Sequence, residues 1–263
     1  MDSNNDRVSV MTLNLRFGLA DDGPNAWKYR KKLMPALFQA YPVDFIACQE
    51  VNAFQADDLA AILGDYHFTG RREPAPTFWQ NNIIFFKKDW ELHNPEHFYL
   101  SDTPDIPSRA RNSRWPRQCT MGTFQKMKRK LTCINTHFDF SSSAQIFSAR
   151  LIMKRLLQRS HHVPAILMGD FNAPIDSPHY RFFVNDVVTR KGLDICFHNA
   201  VDSTACGTHH GFSGKPGKDC IDWILHTNGI TPEDAKIVEE QVEGAYYSDH
   251  FPVVASFSFP DAG

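Results

Sequence analysis

The sequence predicts an α+β fold, two β-sheets packed face to face with helices outside. Short apolar or alternating runs recur along the whole chain, while only a few segments carry a helical period. No internal repeat, low-complexity linker or shift in composition divides the 263 residues, so they read as a single domain, 1–263. At 42% hydrophobic and 22% charged the chain can bury a sizeable core, and its 21 Phe point to aromatic packing there.

Residues 8–16 alternate and are β-branched early, which makes a strand with Asn14 near its end. Residues 21–25 form a loop. A helix follows over 27–40, with apolar Leu33, Leu37 and Phe38, despite Pro35. Residues 44–48 are a buried strand ending at Gln49-Glu50, and 53–63 a helix stopped by Gly64. Strands are expected over 66–69, 82–87 and 92–100. Residues 101–116, rich in Pro, Asp and Arg, read as a long surface loop of a kind that often carries function. Residues 118–125 and 130–137 form a hairpin with a basic turn, and 141–160 an amphipathic helix. A fully buried strand over 165–168 stops at Gly169. Residues 177–184 are helical, strands are expected over 220–225 and 236–241, and the alternating strand 253–259 closes the chain.

A formal net charge of −2 provides no global basic field, so a polyanion must be met by local patches or bound metal. The segment from Met1 to Arg7 lacks the basic start and apolar run of a secretion signal, and no apolar stretch approaches the ~20 residues that cross a bilayer. The six Cys include no Cys-x-x-Cys pair. These features favour a cytoplasmic protein with reduced thiols, no membrane span and no evident obligate protein partner.

Polar side chains recur where apolar runs end: Asn14, Glu50, His137, Asp170 with Asn172, Asp222, and Asp249-His250. Alternation points Asp170 and Asn172 to one side and Phe171 to the other. Alone, that segment is equally a strand end closed by an Asx turn. As a set, these oxygen donors suit Mg²⁺ or Mn²⁺ rather than Zn²⁺, and two His beside carboxylates supply acid/base capacity.

Six ordered motifs carry a resemblance: Thr12-Leu13-Asn14, Cys48-Gln49-Glu50-Val51, Asn135-Thr136-His137, Gly169-Asp170-Phe171-Asn172, Ile221-Asp222-Trp223-Ile224 and Ser248-Asp249-His250-Phe251-Pro252. Together the chain resembles the endonuclease/exonuclease/phosphatase (deoxyribonuclease I-like) superfamily. Residues 22–27, Arg30-Lys31 and residues 99–105 are similar to a small bacterial subgroup. The resemblance implies a four-layer α/β/β/α sandwich, two mostly antiparallel sheets, and a metal-dependent phosphoesterase. It implies Glu50 as principal metal ligand, with Asn14 and Asp249 completing the site. Asp170 would orient or deprotonate the attacking water, and Asn172 hold the phosphate or that water. Asp222 would contact the partner His or the leaving-group side, and His250 act as general base or transition-state hydrogen-bond donor. His137 would bind a phosphate oxygen or protonate the leaving group, and Arg117 grip phosphate, unless it pairs with Asp102 or Asp105 on the surface.

Mg²⁺ is the cofactor implied, with Mn²⁺ as alternative, and the substrate a phosphate ester, nucleic acid included. A phosphodiesterase competes with a phosphomonoesterase or lipid-headgroup hydrolase, and with a noncatalytic phosphate-binding protein. Trp115 is placed to stack a ring or to cap the core. Arg109, Arg111 and Arg114 read as solvated or as a substrate rim, and His209 and His210 as cleft-lining. Gln80 stands where relatives carry a Glu that supports the catalytic His; an amide can orient an imidazole but not compensate its charge.

Overall fold

The computed structural model describes residues 6–159, 163–190, 193–201 and 207–260. Residues 1–5, Ser160, His161, His162 and Cys206, all touched by the sequence reading, lie outside the described residues. The first half of the chain runs β1 (Arg7–Asn14), α1 (Trp27–Arg30), α2 (Met34–Ala40), β2 (Phe45–Val51), α3 (Ala53–Ile62), β3 (Tyr66–Thr69), β4 (Asn81–Lys87) and β5 (Glu91–Tyr99). A long loop leads to β6 (Gln118–Lys126), β7 (Arg129–His137), α4 (Ser142–Leu156), β8 (Ala165–Asp170) and α5 (Pro178–Val184). Three short strands follow, β9 (Val188–Arg190), β10 (Leu193–Ile195) and β11 (His198–Asn199), before β12 (Asp222–His226), β13 (Thr231–Ile237) and β14 (Val253–Ser258).

Two six-stranded sheets result, in the orders β13-β14-β1-β2-β4-β3 and β11-β12-β8-β7-β6-β5, with β9 and β10 paired separately. Each is antiparallel except for one parallel pair, β1–β2 in the first and β7–β8 in the second. Both parallel pairs need a crossover: α1 and α2 lie between β1 and β2, and α4 between β7 and β8.

Alternation along the strands divides the core into layers. Val8, Val10, Phe45, Ala47, Ile166, Met168 and Ile224 face the space between the sheets, where Phe45, Phe86 and Phe124 pack edge to face. Met11, Leu13, Ile46 and Cys48 turn the other way and bury Leu37 of α2 and Leu59 of α3. Ile134, Ala165 and Leu167 do the same for Ile152 of α4 and Phe183 of α5. This is the expected sandwich, helix on sheet on sheet on helix.

Some elements differ from expectation. The helix over 27–40 is broken into α1, a 3₁₀ turn at Lys31–Leu33 and α2, whose first turn holds Pro35. Proline lacks the N–H that a helix interior needs but costs nothing in a first turn. The strand expected over 236–241 is β13, Thr231–Ile237. Its polar, exposed Thr231-Pro232-Glu233-Asp234 start hides it, because it is an edge strand with a register shift between Pro232 and Asp234. Proline and charge belong on such edges.

Candidate active site

The same alternation that fills the inter-sheet layer carries polar groups to one end of it. On β1, Val8 and Val10 are followed on the same face by Thr12 and Asn14. On β7, Leu131 and Cys133 are followed by Asn135 and His137, and on β8, Ile166 and Met168 by Asp170. Asp222 is the direct cross-strand neighbour of Asp170. Beneath these groups the sheets are tied together by the buried Gln49, whose Nε2 donates to Thr12 Oγ1 (3.0 Å) and Asn135 Oδ1 (2.8 Å).

Local backbone features aim the remaining groups. Gly169 lies at φ 152°, and a Cβ there would meet the Thr136 carbonyl oxygen at 2.0 Å, so only glycine lets β8 lie this close to β7 beside His137. A register shift between Cys48 and Val51 marks a bulge in β2, and Glu50 within it has φ 61°. Bulges of this kind re-aim a side chain next to a site. Arg16 (φ 63°) and Asn172 (φ 49°) are left-handed too.

The predicted residues meet as follows. Asn14 Nδ2 donates to Asp170 Oδ2 (2.9 Å) and lies 3.4 Å from Glu50 Oε1. Asp170 Oδ1 accepts from the Asn172 backbone N–H (2.9 Å). His250 Nδ1 donates to Asp222 Oδ2 (2.8 Å), and its Nε2 lies 3.8 Å from Asp170 Oδ2. His137 Nε2 lies 3.5 Å from the same oxygen and 2.9 Å from Asn172 Nδ2, and that amide nitrogen donates to the Phe138 carbonyl. Asp249 is held by Ser248 Oγ and lies 3.6 Å from Arg16 Nε. Asp170 and Asp222 are each 1% exposed, so these contacts are made almost without water.

Arg117 is not a surface group paired with Asp102 or Asp105. It is buried, with Nη1 3.1 Å from His137 Nδ1 and Nε 3.7 Å from Asp139, while Asp105 pairs with Arg155. A guanidinium can only donate, so His137 Nδ1 accepts from Arg117. Gln80 does not reach His137; its carbonyl accepts from Gln118 Nε2 (2.9 Å), and the position of a supporting partner falls to Arg117.

The charges shift one another strongly. Burial alone would depress His250, but Asp222, Asp170 and Asp249 raise it to about 10, so the ring is cationic at neutral pH. Burial and the Asp222 charge push the Asp170 carboxyl up. Burial, with Arg117 and His250, drives His137 well below its usual value and keeps it neutral. For Asp139, burial is outweighed by the backbone N–H groups of Arg114, Trp115 and Ser141, which hold it below the usual carboxylate range.

Ligand atoms of Asp170, Asp222 and His250, and of His209, Asp249 and His250, lie within 4.8 Å of one another. Glu50 is outside both sets and joins them through Asn14. The buried Asp222 Oδ1 has no hydrogen-bond partner among the described residues. The oxygens of Asn14, Glu50, Asp222 and Asp249 are of the chemical type that suits a hard divalent cation. His209 lies beside His250, ring centroids 4.9 Å apart, whereas His210 is buried against Phe251.

Sequence reading passed over two arginines. Arg16 pairs with Asp22 (2.9 Å), and that bond, with Asp249 and Glu50, raises its pKa. Arg30 is 2% exposed and donates from Nη1 to the Leu15 and Tyr247 carbonyls (3.2 and 2.6 Å), tying the β1 exit to the loop that carries Asp249 and His250. The spacing of Arg16, two residues past Asn14, was the available signal for the first; Arg30, one of four basic residues over 28–32, was legible only as part of the subgroup resemblance.

A layered sandwich with carboxylates and imidazoles gathered at its strand ends is the architecture of deoxyribonuclease I-like proteins. The chain belongs to the endonuclease/exonuclease/phosphatase family, whose description matches residues 11–250. It is similar in structure to an endonuclease/exonuclease/phosphatase from Bacteroides vulgatus, at TM-score 0.87 and 26% identity, covering 96% of this chain and 99% of that one. A mannosyl-6-phosphatase from Bacteroides thetaiotaomicron aligns at TM-score 0.85 and 24% identity over 96% and 100% of the two chains. The human nocturnin catalytic domain with bound sulfate aligns at 0.74 and 19%, over 97% and 94%. No curated protein gives a significant match. No described helix is long and apolar enough to cross a membrane.

Proposed function

We propose that the protein is a divalent-metal-dependent phosphoesterase that hydrolyses a phosphodiester by in-line attack of water. One observation carries this reading: Asp170, its proton affinity raised, lies 3.8 Å from His250, which Asp222 holds cationic. A carboxylate of raised proton affinity beside an imidazole held protonated can divide base and donor roles between them. Water attacks phosphorus, forming one P–O bond as the opposite one breaks, and Asp170 takes the water's proton. His250 donates from Nε2 to a non-bridging oxygen, which makes it the transition-state donor rather than the base. Neutral His137, its ring fixed by Arg117, and Asn172 hold the phosphate. Glu50, Asn14 and Asp249 would bind Mg²⁺ or Mn²⁺, which supplies charge neutralisation at the phosphate and at the leaving oxygen.

A phosphomonoester is the second reading, favoured by the similarity to a mannosyl-6-phosphatase. Release of p-nitrophenolate from bis-p-nitrophenyl phosphate and from p-nitrophenyl phosphate, with Mg²⁺ and with chelator, tests both. Faster turnover of the diester, lost in chelator, is expected. Faster turnover of the monoester supports the second reading, and hydrolysis of neither overturns both.

A further inference from the structure

A cleft of about 520 Å³ extends from the catalytic groups, sharing Glu50, Arg117 and His137 with them. Its walls are aromatic: Phe78, Trp79, Trp115 and Phe140 line it, together with the amides Gln80 and Gln118. Phe78, Trp115 and Phe140 are 60%, 51% and 61% exposed. Exposed aromatic surface gathered at one place marks a binding site rather than packing. Trp115 belongs to the long loop before β6, and its main-chain N–H is fixed by Asp139 Oδ2 (3.1 Å). Phe140 follows Asp139 directly and has the Arg117 guanidinium 5.8 Å from its ring centre. The cleft is therefore rigidly tied to the site: Arg117 and His137 belong to both.

We infer that this cleft binds a nucleobase, so that the substrate is a nucleotide or the end of a single strand, its base held by Trp115 and Phe140 while its phosphate meets His137 and Asp170. This deepens the phosphoesterase reading and rests on it. Flat aromatic faces stack bases of any sequence. The Gln80 carboxamide offers one donor and one acceptor group, the pattern that pairs with a base edge. With a formal charge of −2 the chain lacks the field that grips duplex backbones, so recognition by stacking suits it better.

The test uses two diesters with the same leaving group, thymidine 5′-p-nitrophenyl phosphate and methyl p-nitrophenyl phosphate. In the presence of Mg²⁺ the wild type is expected to prefer the nucleoside ester in kcat/KM. The double variant Trp115→Ala, Phe140→Ala is expected to lower that ratio by about tenfold or more, as loss of stacking predicts. A ratio unchanged within twofold overturns the inference. So does competitive inhibition in which mannose 6-phosphate acts more strongly than adenosine 5′-monophosphate and is the ligand weakened by the variant. If neither diester is hydrolysed, the phosphoesterase reading fails and the cleft is judged by fluorescence. Saturable quenching by adenosine 5′-monophosphate in the wild type, lost in Trp115→Phe, then supports base binding, and no quenching overturns it.

Discussion

The two ends of the inter-sheet layer are built from the same strands and differ completely. At one end β1, β2, β7 and β8 present Val8, Phe45, Leu131 and Ile166, packed against Trp90, Phe124 and Phe257. At the other they present Asn14, Glu50, His137 and Asp170, a set with buried charge and, at Glu50, left-handed backbone, next to Asp222, whose Oδ1 has no partner among the described residues. Between them Thr12, Gln49 and Asn135 form a hydrogen-bonded step from apolar to charged. A buried polar group must find partners, so charge is tolerated only where a rigid hydrogen-bonded floor supports it. The apolar end therefore supplies stability, and the polar end consumes part of it to hold reactive groups in place.

Substitutions at the two ends should separate these roles. The largest effect is expected for His250→Ala, which should lower kcat on a diester by ~10³-fold while leaving the far-ultraviolet circular dichroism unchanged. Retention of full activity would remove His250 from the mechanism. Phe124→Ala, at the opposite end, should cost ~3–5 kcal/mol in urea unfolding, because the ring packs against Phe45 and Phe86 at 4.9 Å. The folded fraction of that variant should keep its kcat. Glu50→Gln should raise the Mg²⁺ concentration for half-maximal rate by ~10-fold or more, with little change in unfolding midpoint; an unshifted metal requirement would displace Glu50 from the metal site.

The smallest effect concerns pH, in protein kept in chelator. His250 is raised from its ordinary value to about 10, so the stability it contributes is fully present below about 6.5 and is lost as pH climbs through about 10. Urea midpoints measured across that window should fall with pH, and Asp222→Asn should flatten the fall.

Much of this contrast could be read from the chain alone, for a physical reason. Strands have a period of two, so an apolar run followed by Asp170, His137 or Asn14 states both which face is buried and where it opens. What stayed hidden depended on contacts far apart in sequence. Arg117 gave no sign that its guanidinium would support His137, since the loop before β6 has no periodicity. The role of Arg30 arises from carbonyls at Leu15 and Tyr247, 15 and 217 residues away. Edge strand β13 was misplaced because an exposed edge needs no apolar alternation. The aromatic cleft draws Phe78, Trp115 and Phe140 from separate loops, and only the folded chain brings them together.

The most direct test of the polar end as a functional rather than a structural feature is Asp170→Asn, measured for melting temperature and diester hydrolysis in the same preparation at pH 8. Burial and Asp222 already disfavour the Asp170 charge. We expect a melting temperature no lower than that of the wild type and hydrolysis reduced by ~10³-fold. A large drop in melting temperature, or turnover close to that of the wild type, would contradict this assignment.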